Sequence, residues 1–535
     1  MVKNSFAPFA LFCGNCPVQR LAVINVVGLT ESLIGEHTPR LADIRRRGAL
    51  ANIAPAFPAL TCTAQSNYLT GTMPARHGIV GNGWYNRELA EVQFWKQSNH
   101  LVQSPKIWDA LREQFAPVAR HSSPVTCANC FWWFNMHSSA DYSITPRPMY
   151  PADGRKIFDI YTQPGNIRHQ IKKDLGEFPF FGFWGPAAGI KTSPGSADCA
   201  TRWIAESAKW IENKFSPALN LIYLPHLDYN LQRHGPYISN PLTRPSATLS
   251  PLARGEGKQS PDTASSSLSP PIGERAGARG AFQINAAIIP DLRAIDAIVG
   301  ELIQFFGQRG AQVILLSEYG ITNVSNPIHL NRLFREIGGP WLAIREELGL
   351  ELLNPGASDA FAVADHQIAH IYINNPSIKT AVRDFIEKNT GATVLGAEEK
   401  TEMGIDHPRA GDLIAIAPEN AWFSYYYWTD DIYAPDFART VDIHRKPGYD
   451  PVELFLDPKI PLPKFKIALR LLQKKLGFRM LMDVIPLDAS LVKGSHGRRP
   501  ADKKDWPVFI TERPEVLGAK QIESTDVFHI LRRHV

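Results

Sequence analysis

The sequence predicts an α/β fold built on a doubly wound, mostly parallel sheet flanked by helices. Three apolar runs of strand length each stop abruptly at polar residues. Continuous runs of Val, Ile and Leu are typical of strands that are buried on both faces of a parallel sheet. Apolar residues at helical spacing lie between these runs. Strands that alternate with helices are typical of a doubly wound α/β domain.

The three predicted strands cover residues 21–27, 219–224 and 313–316. The first run ends at Gly28, the second is followed by the loop that carries Asp228, and the third is followed by Glu318. Ligands of an open α/β sheet bind where its strands end. We therefore expect the polar residues after these three strands to lie close together and to form the functional site.

A helix is predicted before the third strand. Its buried face is formed by Leu292, Ile295, Val299, Leu302 and Phe306. Gly307 is the expected stop, because glycine favours the end of a helix. Two further candidate strands, 370–373 and 413–417, are expected to belong to the same doubly wound domain.

The composition is that of a globular chain of 535 residues, of which 44% are hydrophobic, and this length favours two or three domains. Lys and Arg number 57 against 52 Asp and Glu, so the net charge of +5 is too small to indicate nucleic-acid binding.

An apolar run long enough to span a membrane is absent from the sequence. The first 30 residues make a poor secretory signal, which predicts a cytoplasmic protein. Six cysteines exclude a disulfide scaffold.

One segment departs from this pattern. Residues 241–280 contain six Pro, five Gly and seven Ser and no aromatic residue. Such a stretch buries too little apolar surface to offset the entropy of ordering it. The predicted organisation is an N-terminal tail (1–18), an α/β core (19–421), a disordered low-complexity insertion within that core (240–282), an aromatic and basic cap (422–490), and a C-terminal part that returns to the core (491–535).

The cap region has two contrasting parts. Residues 422–428 are almost entirely aromatic, and residues 464–482 form a basic amphipathic stretch. Phe465, Leu469, Leu472 and Leu476 fall on one face of this stretch. One interpretation is a helix that lies on a membrane surface. The favoured alternative is a helix that packs on the domain through this apolar face and leaves its basic face in water.

The most informative window is 55–82, which reads PAFPALTCTAQSNYLTGTMPARHGIVGN. Thr61 lies where a helix is predicted to begin. A hydroxyl there is well placed for nucleophilic attack on phosphorus, because a helix N-terminus favours an anion. Composition alone leaves a second interpretation open, in which Thr61 is a simple N-cap.

This window resembles the type I phosphodiesterase/nucleotide pyrophosphatase family of the alkaline phosphatase superfamily. The resemblance rests on the Pro-rich approach to Thr61, the following Asn-x-Tyr-x-Leu-x-Thr-Gly pattern, and the His-Gly-Ile-x-x-Asn pattern that ends at Asn82. It extends more loosely over 20–510 and implies an alkaline-phosphatase-like fold with a smaller cap region. It also implies that Thr61 is the nucleophile, that Asn82 holds a phosphoryl oxygen, and that two zinc ions activate the reaction.

The metal ligands that the resemblance implies are only partly present. Thr61, Asp228 and His496 match, and Glu318 stands for an aspartate. Gln232 and Tyr319 stand where histidines are expected. The first strand lacks its aspartate, because Val27 precedes Gly28, and Asn25 lies two residues earlier on the same face.

One metal position would have Asp228, His496 and Gln232, and the other Thr61, Glu318 and Tyr319. We expect the second position to bind zinc poorly, and the oxygen-rich ligands that remain are better suited to manganese or magnesium. Histidines near these positions are candidate replacement ligands, although each is as readily a structural residue. They are His226, His234, the pairs Asp365-His366 and Asp406-His407, and His444 as a rival to His496.

Two further features bear on metals and substrate. The pairs Cys13/Cys16 and Cys127/Cys130 have zinc-ligand spacing, but the long gap between them favours reduced thiols. Residues 131–134 and 142–150, with Arg147 and Arg155, would suit a nucleotide base and phosphate, or equally a hydrophobic core.

The sequence therefore predicts a metal-dependent phosphoric-ester hydrolase that acts on a small phosphate ester through Thr61. The alternative is a non-catalytic or specialised relative that binds a phosphorylated ligand at a degenerate metal site. A transferase on the same fold is a third interpretation.

Overall fold

The computed structural model describes residues 18–116, 125–152, 156–189, 200–238, 283–336 and 341–535. The predicted insertion at 240–282 and nearly all of the predicted tail at 1–18 lie outside these residues. The strands of the described residues are β1 (Leu21–Val26), β2 (Ala49–Ala54), β3 (Gly83–Asn86), β4 (Glu91–Phe94), β5 (Cys127–Cys130), β6 (Tyr142–Pro146), β7 (Ile160–Gln163), β8 (Leu219–Leu224), β9 (Gln312–Leu316), β10 (Thr322–Asn323), β11 (Asn326–Ile328), β12 (Ile344–Glu347), β13 (Leu350–Leu353), β14 (Ala360–Asp365), β15 (Ile368–Ile373), β16 (Thr393–Leu395), β17 (Leu413–Ile416), β18 (Ala421–Phe423), β19 (Gly494–Ser495), β20 (Val508–Thr511) and β21 (Gln521–Glu523).

The α-helices of the same residues are α1 (Pro39–Arg47), α2 (Thr61–Thr70), α3 (Pro74–His77), α4 (Ile107–Phe115), α5 (Ile167–Leu175), α6 (Ala200–Phe215), α7 (His226–His234), α8 (Ile289–Gly307), α9 (Leu330–Glu336), α10 (Lys379–Thr390), α11 (Ala397–Glu402), α12 (Pro463–Lys475), α13 (Pro514–Leu517) and α14 (Asp526–His534). The predicted helix before the third strand is α8, and all five residues of its expected apolar face are buried. None of the described helices is both long and apolar enough to cross a bilayer.

A nine-stranded, mostly parallel sheet forms the centre of the fold. Its strand order is β21-β2-β20-β9-β1-β8-β5-β6-β7, in which β20 and β7 run antiparallel to their neighbours. The three strands predicted from the apolar runs are β1, β8 and β9, and they are adjacent and parallel at the middle of this sheet. The predicted fold class is therefore confirmed.

Helices flank this sheet in two contacting groups. Helices α1, α5, α6 and α8 form one group, and α2, α4 and α14 form the other. The main hydrophobic core lies between the sheet and these helices, and includes fully buried residues of all three central strands. Because β1, β8 and β9 are buried from both sides, they can be apolar along their whole length.

The two other predicted strands are not in the central sheet, so that expectation was wrong. They are β15 and β17, which belong to a four-stranded antiparallel sheet with the order β14-β15-β17-β16. Apolar runs of this kind show that a strand is buried but not which sheet it joins. The tight turn between β14 and β15 consists of His366, at φ 62°, and Gln367.

A second hydrophobic core lies on this smaller sheet. The aromatic segment 422–428 is buried in it together with β14, β15 and β17. Beyond that segment, α12 carries the basic amphipathic stretch. The domain boundaries drawn from the sequence stay predictions, although β20 does bring the C-terminal part back between β9 and β2.

Candidate functional site

The ends of the three central strands meet at one edge of the sheet, as the sequence predicted. Register pairs Asn25 of β1 with Tyr223 of β8 and with Leu316 of β9. Helix α7 begins after Pro225, just beyond β8. Asp228 and Gln232 lie about one helical turn apart on it. Glu318 and Tyr319 follow β9 directly. The chain therefore brings these polar side chains together in a region that is shielded from solvent.

Thr61 is the first residue of α2 and is only 3% exposed. Leu60 occupies the N-cap position, so Thr61 is not the N-cap that composition alone left open. The Thr61 Oγ1 lies 3.0 Å from the Tyr319 hydroxyl oxygen. The position predicted for the nucleophile thus faces the residues that follow β9, at the positive end of the α2 dipole.

Glu318 is held by two amide groups. Asn25 Nδ2 and Gln65 Nε2 both donate to its Oε1, at 2.5 and 2.6 Å. The second carboxyl oxygen, Oε2, and the Asn25 Oδ1 are buried and have no hydrogen-bond partner among the described residues. Asn25 thus reaches the place where the resemblance implied an aspartate, but it presents an amide to Glu318.

Asp228 is embedded in a second hydrogen-bonded chain. Gln232 Nε2 donates to Asp228 Oδ2 at 2.6 Å, and the Tyr449 hydroxyl donates to Gln232 Oε1 at 3.0 Å. The Tyr319 hydroxyl lies 3.5 Å from Asp228 Oδ1. The glutamine that replaces a histidine therefore connects Asp228 to Tyr449.

Four rings stack beside these polar groups. The Tyr319 and His496 rings are nearly parallel with centroids 3.6 Å apart, His496 lies 3.7 Å from His366, and His366 lies 3.6 Å from Tyr449. His496 Nδ1 donates to the Ala59 carbonyl at 2.8 Å, so its Nε2 carries a lone pair, 3.9 Å from Asp228 Oδ1. The planes of the two imidazole rings are tilted by 38° to each other, and each ring also stacks on a tyrosine.

Asn82 joins α2 to the turn between β14 and β15. Its backbone N and its Nδ2 donate to the two oxygens of Asp365 at 2.9 and 3.1 Å, and its Oδ1 accepts the Cys62 backbone N–H at 3.1 Å. Asp365 also accepts from His366 Nδ1 at 2.8 Å. The amide that was predicted to hold a phosphoryl oxygen is therefore engaged by a buried carboxyl group.

Burial dominates the protonation of this site. It raises the pKa of Asp228 and of Asp365 to about 7 and that of Glu318 to about 8, although the hydrogen bonds that each accepts act in the opposite direction. Burial also lowers the pKa of His366 and His496 well below the usual value, so both imidazoles are neutral. Without a cation, the site favours uncharged side chains.

The residues do not fit the two-zinc centre that the resemblance implies. The described residues contain no group of three or more His, Cys, Asp or Glu side chains arranged to hold a metal ion. Amide N–H groups from Asn25, Gln65 and Gln232 are directed at the carboxyl groups, in the places where cations would bind. Glu318 Oε2 and Asn25 Oδ1, which lack partners, are oxygen donors of the kind that Mg²⁺ prefers.

Of the candidate replacement ligands, only Asp365 and His366 lie in the site. His226 is buried against the rings of Phe183 and Tyr229. His234 is exposed at the end of α7, and His407 bonds to Gln103 at 2.9 Å. His444 lines the cavity that also contains Thr61, and its Nδ1 lies 3.3 Å from the Phe94 carbonyl oxygen. The other residues that bear on the metal expectation lie elsewhere. They are Asp406, 3.6 Å from Lys400, the buried thiols Cys127 and Cys130, and Cys13 and Cys16, outside the described residues.

Two functional candidates were missed by the sequence. Gln65 lies one turn after Thr61 on the same face of α2, and its Oε1 accepts the Trp133 backbone N–H at 2.7 Å. This one-turn spacing from Thr61 is the sequence signal that could have identified Gln65 as a site residue. Tyr449 comes from the second core, and the local sequence around it contains no pattern that predicts its stacking on His366.

A cavity of about 820 Å³ opens above the site. Thr61, Asp228, Tyr319, His366 and Tyr449 line its floor. Its walls are mainly aromatic and aliphatic, and include Trp95, Trp133, Phe158, Phe180, Phe183, Trp184, Val441, Ile443, Leu456 and Val484. The basic residues that line it are Lys96, Arg147, Lys156 and Lys474. Arg155, expected beside Arg147, lies outside the described residues.

Solved structures resemble this fold at low sequence identity. Phosphonoacetate hydrolase from Sinorhizobium meliloti 1021 matches with a TM-score of 0.52 in complexes with phosphonoformate and with phosphonoacetate, at 13% and 14% identity, over 97% of this chain and 96% of that one. Murine ectonucleotide pyrophosphatase/phosphodiesterase 5, as an inactive variant in complex with AMP, matches at 13% identity and a TM-score of 0.49, over 96% of this chain and 94% of that one. The likeness to phosphonoacetate hydrolase confirms the alkaline-phosphatase-like fold.

Sequence comparison with curated proteins gives no match. The family model described as type I phosphodiesterase/nucleotide pyrophosphatase matches residues 21–450. This range contains Thr61, Asn82, Asp228 and Glu318 and covers most of the chain. The chain therefore belongs to the type I phosphodiesterase/nucleotide pyrophosphatase family.

Proposed function

We propose that this protein hydrolyses a phosphoric ester with Thr61 as the nucleophile and with one oxygen-preferring divalent cation, Mg²⁺ or Mn²⁺. The observation that carries the proposal is the position of the Thr61 hydroxyl. It lies on the floor of a cavity, at the first residue of α2, beside a carboxyl group with an unpartnered oxygen. Membership of the family supports the reaction class.

Each step can be assigned to residues of this chain. Thr61 Oγ1 loses its proton and bonds to phosphorus, while the P–O bond to the ester oxygen breaks; the alcohol leaves with that electron pair and takes up a proton, and a phosphothreonine forms. Water then attacks that phosphorus and restores the Thr61 hydroxyl. The amides of Asn25 and Gln65 fix Glu318, and the Tyr319 hydroxyl positions Thr61 Oγ1.

The cation would be held by Glu318 Oε2, Asn25 Oδ1 and the Thr61 hydroxyl. When bound, it would lower the pKa of that hydroxyl and neutralise charge on the phosphoryl group. To hold a phosphoryl oxygen, Asn82 would have to turn its Nδ2 away from Asp365. Its predicted role therefore requires the hydrogen bond to Asp365 to be exchanged for one to the phosphoryl oxygen.

A second candidate function is binding of a phosphorylated ligand without turnover. It is favoured by the hydrogen-bonded chain Asp228–Gln232–Tyr449, in which an amide N–H, rather than a cation, occupies Asp228 Oδ2. Under this alternative the cavity and its basic residues are used, but Thr61 does not react.

An assay of hydrolysis distinguishes the catalytic function from binding without turnover. It compares wild type, Thr61→Ala and Thr63→Ser on bis(p-nitrophenyl) phosphate and on p-nitrophenyl phosphate. Thr63 is a matched control, because its hydroxyl is directed at the Ile79 carbonyl. We expect turnover with Mg²⁺ or Mn²⁺ that Thr61→Ala lowers by at least ~1,000-fold and Thr63→Ser leaves nearly unchanged. Absence of turnover with Mg²⁺, Mn²⁺ or Zn²⁺, in protein that still binds an alkyl phosphate, would favour the binding role.

The cation can be tested without turnover. Mg²⁺ or Mn²⁺ should raise the melting temperature of wild type, because a ligand that binds only the folded state stabilises it. Glu318→Gln keeps the shape of the side chain but removes the charged ligand, so its melting temperature should not respond. An equal response in both proteins would place the cation elsewhere.

A further inference from the structure

The apolar face of α12 and its continuation is exposed. Phe465, Leu469, Leu472 and Leu476 follow helical spacing and are 68%, 45%, 51% and 65% exposed. The favoured expectation, that this face packs on the domain, was therefore wrong. Residues 462–481, named here the apolar rim segment, contain eight of the seventeen large hydrophobic side chains that are exposed among the described residues.

The side of α12 that faces the protein is mixed, with Lys466, Ile467 and Arg470 partly buried. Lys466 Nζ and Arg470 Nη2 bond to the carboxylate of Asp483 at 2.8 and 3.0 Å. Ile467 and Leu471, on the same part of the helix, line the cavity. An ordinary surface helix buries its apolar face and exposes its charges. Helix α12 instead leaves its main apolar row in water and turns Lys466 and Arg470 towards the protein.

The charge around the apolar rim segment is of one sign. Residues 458–482 contain seven Lys or Arg and no Asp or Glu. Lys464, Lys475 and Arg479 are exposed beside the apolar row. Exposed Leu and Phe flanked by basic residues match the interface of a bilayer that contains anionic lipid.

The same surface continues to the mouth of the cavity. Lys474 and Met480 line the cavity, and Lys474 Nζ contacts the Lys156 carbonyl at 3.5 Å. Tyr150 and Phe181 also line the cavity and are 55% and 64% exposed. Leu471 is itself both exposed and part of the cavity lining, so the exposed apolar surface of the segment adjoins the cavity.

We propose that the apolar rim segment docks the protein on the surface of an anionic bilayer, with the mouth of the cavity towards the lipid. The Leu and Phe side chains enter the interfacial region, while the flanking Lys and Arg contact lipid phosphates. The proposal concerns binding and does not depend on turnover at Thr61.

Co-sedimentation of the full-length protein with vesicles tests it. We expect binding to vesicles of 70% phosphatidylcholine and 30% phosphatidylglycerol, weaker binding to phosphatidylcholine alone, and loss of binding as salt is raised. The triple change Leu469→Ser, Leu472→Ser and Leu476→Ser should lower the partition coefficient by at least ~10-fold, because it removes three inserting side chains. These residues are exposed, so the variant should fold.

Matched controls separate this result from general hydrophobicity and from catalysis. Leu89→Ser, Leu348→Ser and Ile432→Ser change three exposed apolar residues outside the apolar rim segment and should leave vesicle binding unchanged. Thr61→Ala should also bind as wild type does. Failure of wild type to bind phosphatidylglycerol vesicles would overturn the proposal, as would equal binding by the triple variant. A dimer in solution that the triple variant abolishes would assign the segment to a second copy of this chain and would likewise overturn it.

Discussion

At the scale of single residues, the site keeps its hydroxyl but replaces charged ligands with amides and a phenol. Thr61 stays at the start of α2, whereas Asn25 and Gln232 hold carboxyl groups that the family resemblance assigns to metals. An amide N–H stabilises a buried carboxyl group by a hydrogen bond, with no ion required. The hydrogen bonds therefore stabilise the site even where no cation is bound.

Replacement of Gln232 by Leu should show how much the hydrogen bonds of Gln232 contribute to the stability of the protein. The change removes the donor to Asp228 and the acceptor for Tyr449, and leaves both groups buried without that partner. We expect the free energy of unfolding to fall by about 2–4 kcal/mol, since two buried polar groups lose their bonds. Urea denaturation measures the change. Gln103→Leu is the control, because the Gln103 side chain is exposed and bonds to His407. A loss for Gln232→Leu no larger than that of the control would contradict this account.

The sequence identified the residues of the site that follow the strands in the chain. Asp228 and Glu318 come directly after buried apolar runs, and motif spacing identified Thr61 and His496. His366 was named only as one of several candidate histidines, and Tyr449 was missed. Both reach the site through the second sheet, and contacts of this kind depend on how the two cores pack rather than on local pattern.

At the scale of elements, the β14–β15 hairpin brings the second sheet to the site. Asp365 and His366 lie at its turn and contact Asn82 and His496. The sequence predicted β15 as a strand but not its sheet, because β14 and β15 are as apolar as the strands of the central sheet. This hairpin is further anchored by His370, whose Nε2 donates to the Val80 carbonyl and whose Nδ1 accepts the Gly411 N–H, both at 3.1 Å.

His370 should make this anchor sensitive to acid. Burial lowers its pKa to about 4, so the folded protein keeps the ring neutral while the unfolded chain binds a proton below its ordinary pKa of 6.5. The stabilisation is complete above that value and is lost as the pH falls towards 4. At pH 5 the loss should be about 2 kcal/mol. His370→Asn keeps an acceptor for Gly411 but does not titrate.

Unfolding free energies at pH 7.5 and pH 5 measure this effect. The wild type should lose more stability between the two values than His370→Asn does, by about the same 2 kcal/mol. His370→Asn is itself expected to be less stable at pH 7.5, because the bond to Val80 is lost. Identical pH dependence in the two proteins would show that His370 is not the group that titrates.

At the scale of the whole molecule, the cavity lies where the two cores meet. Phe183 and Tyr223 belong to the main core, whereas Tyr449 and Val484 belong to the second core, and all four line the cavity. Its polar lining includes the floor residues, four basic side chains, and Gln97, Thr440 and His444. We therefore predict a ligand with one anionic group and a long apolar part, because a bare phosphate would leave the aromatic walls in contact with water.

Alkyl phosphates of increasing length should therefore bind with increasing affinity. Each methylene group that enters the cavity contributes ~0.8 kcal/mol, which is roughly a fourfold gain in affinity. Tryptophan fluorescence can follow hexyl, octyl and decyl phosphate, because Trp95, Trp133 and Trp184 line the cavity. Ile443→Glu places a carboxylate on the apolar wall and should weaken the longer ligands most. Affinity that is the same across the series would mean that only the phosphate is bound, and that the apolar walls serve the packing of the two cores rather than a ligand.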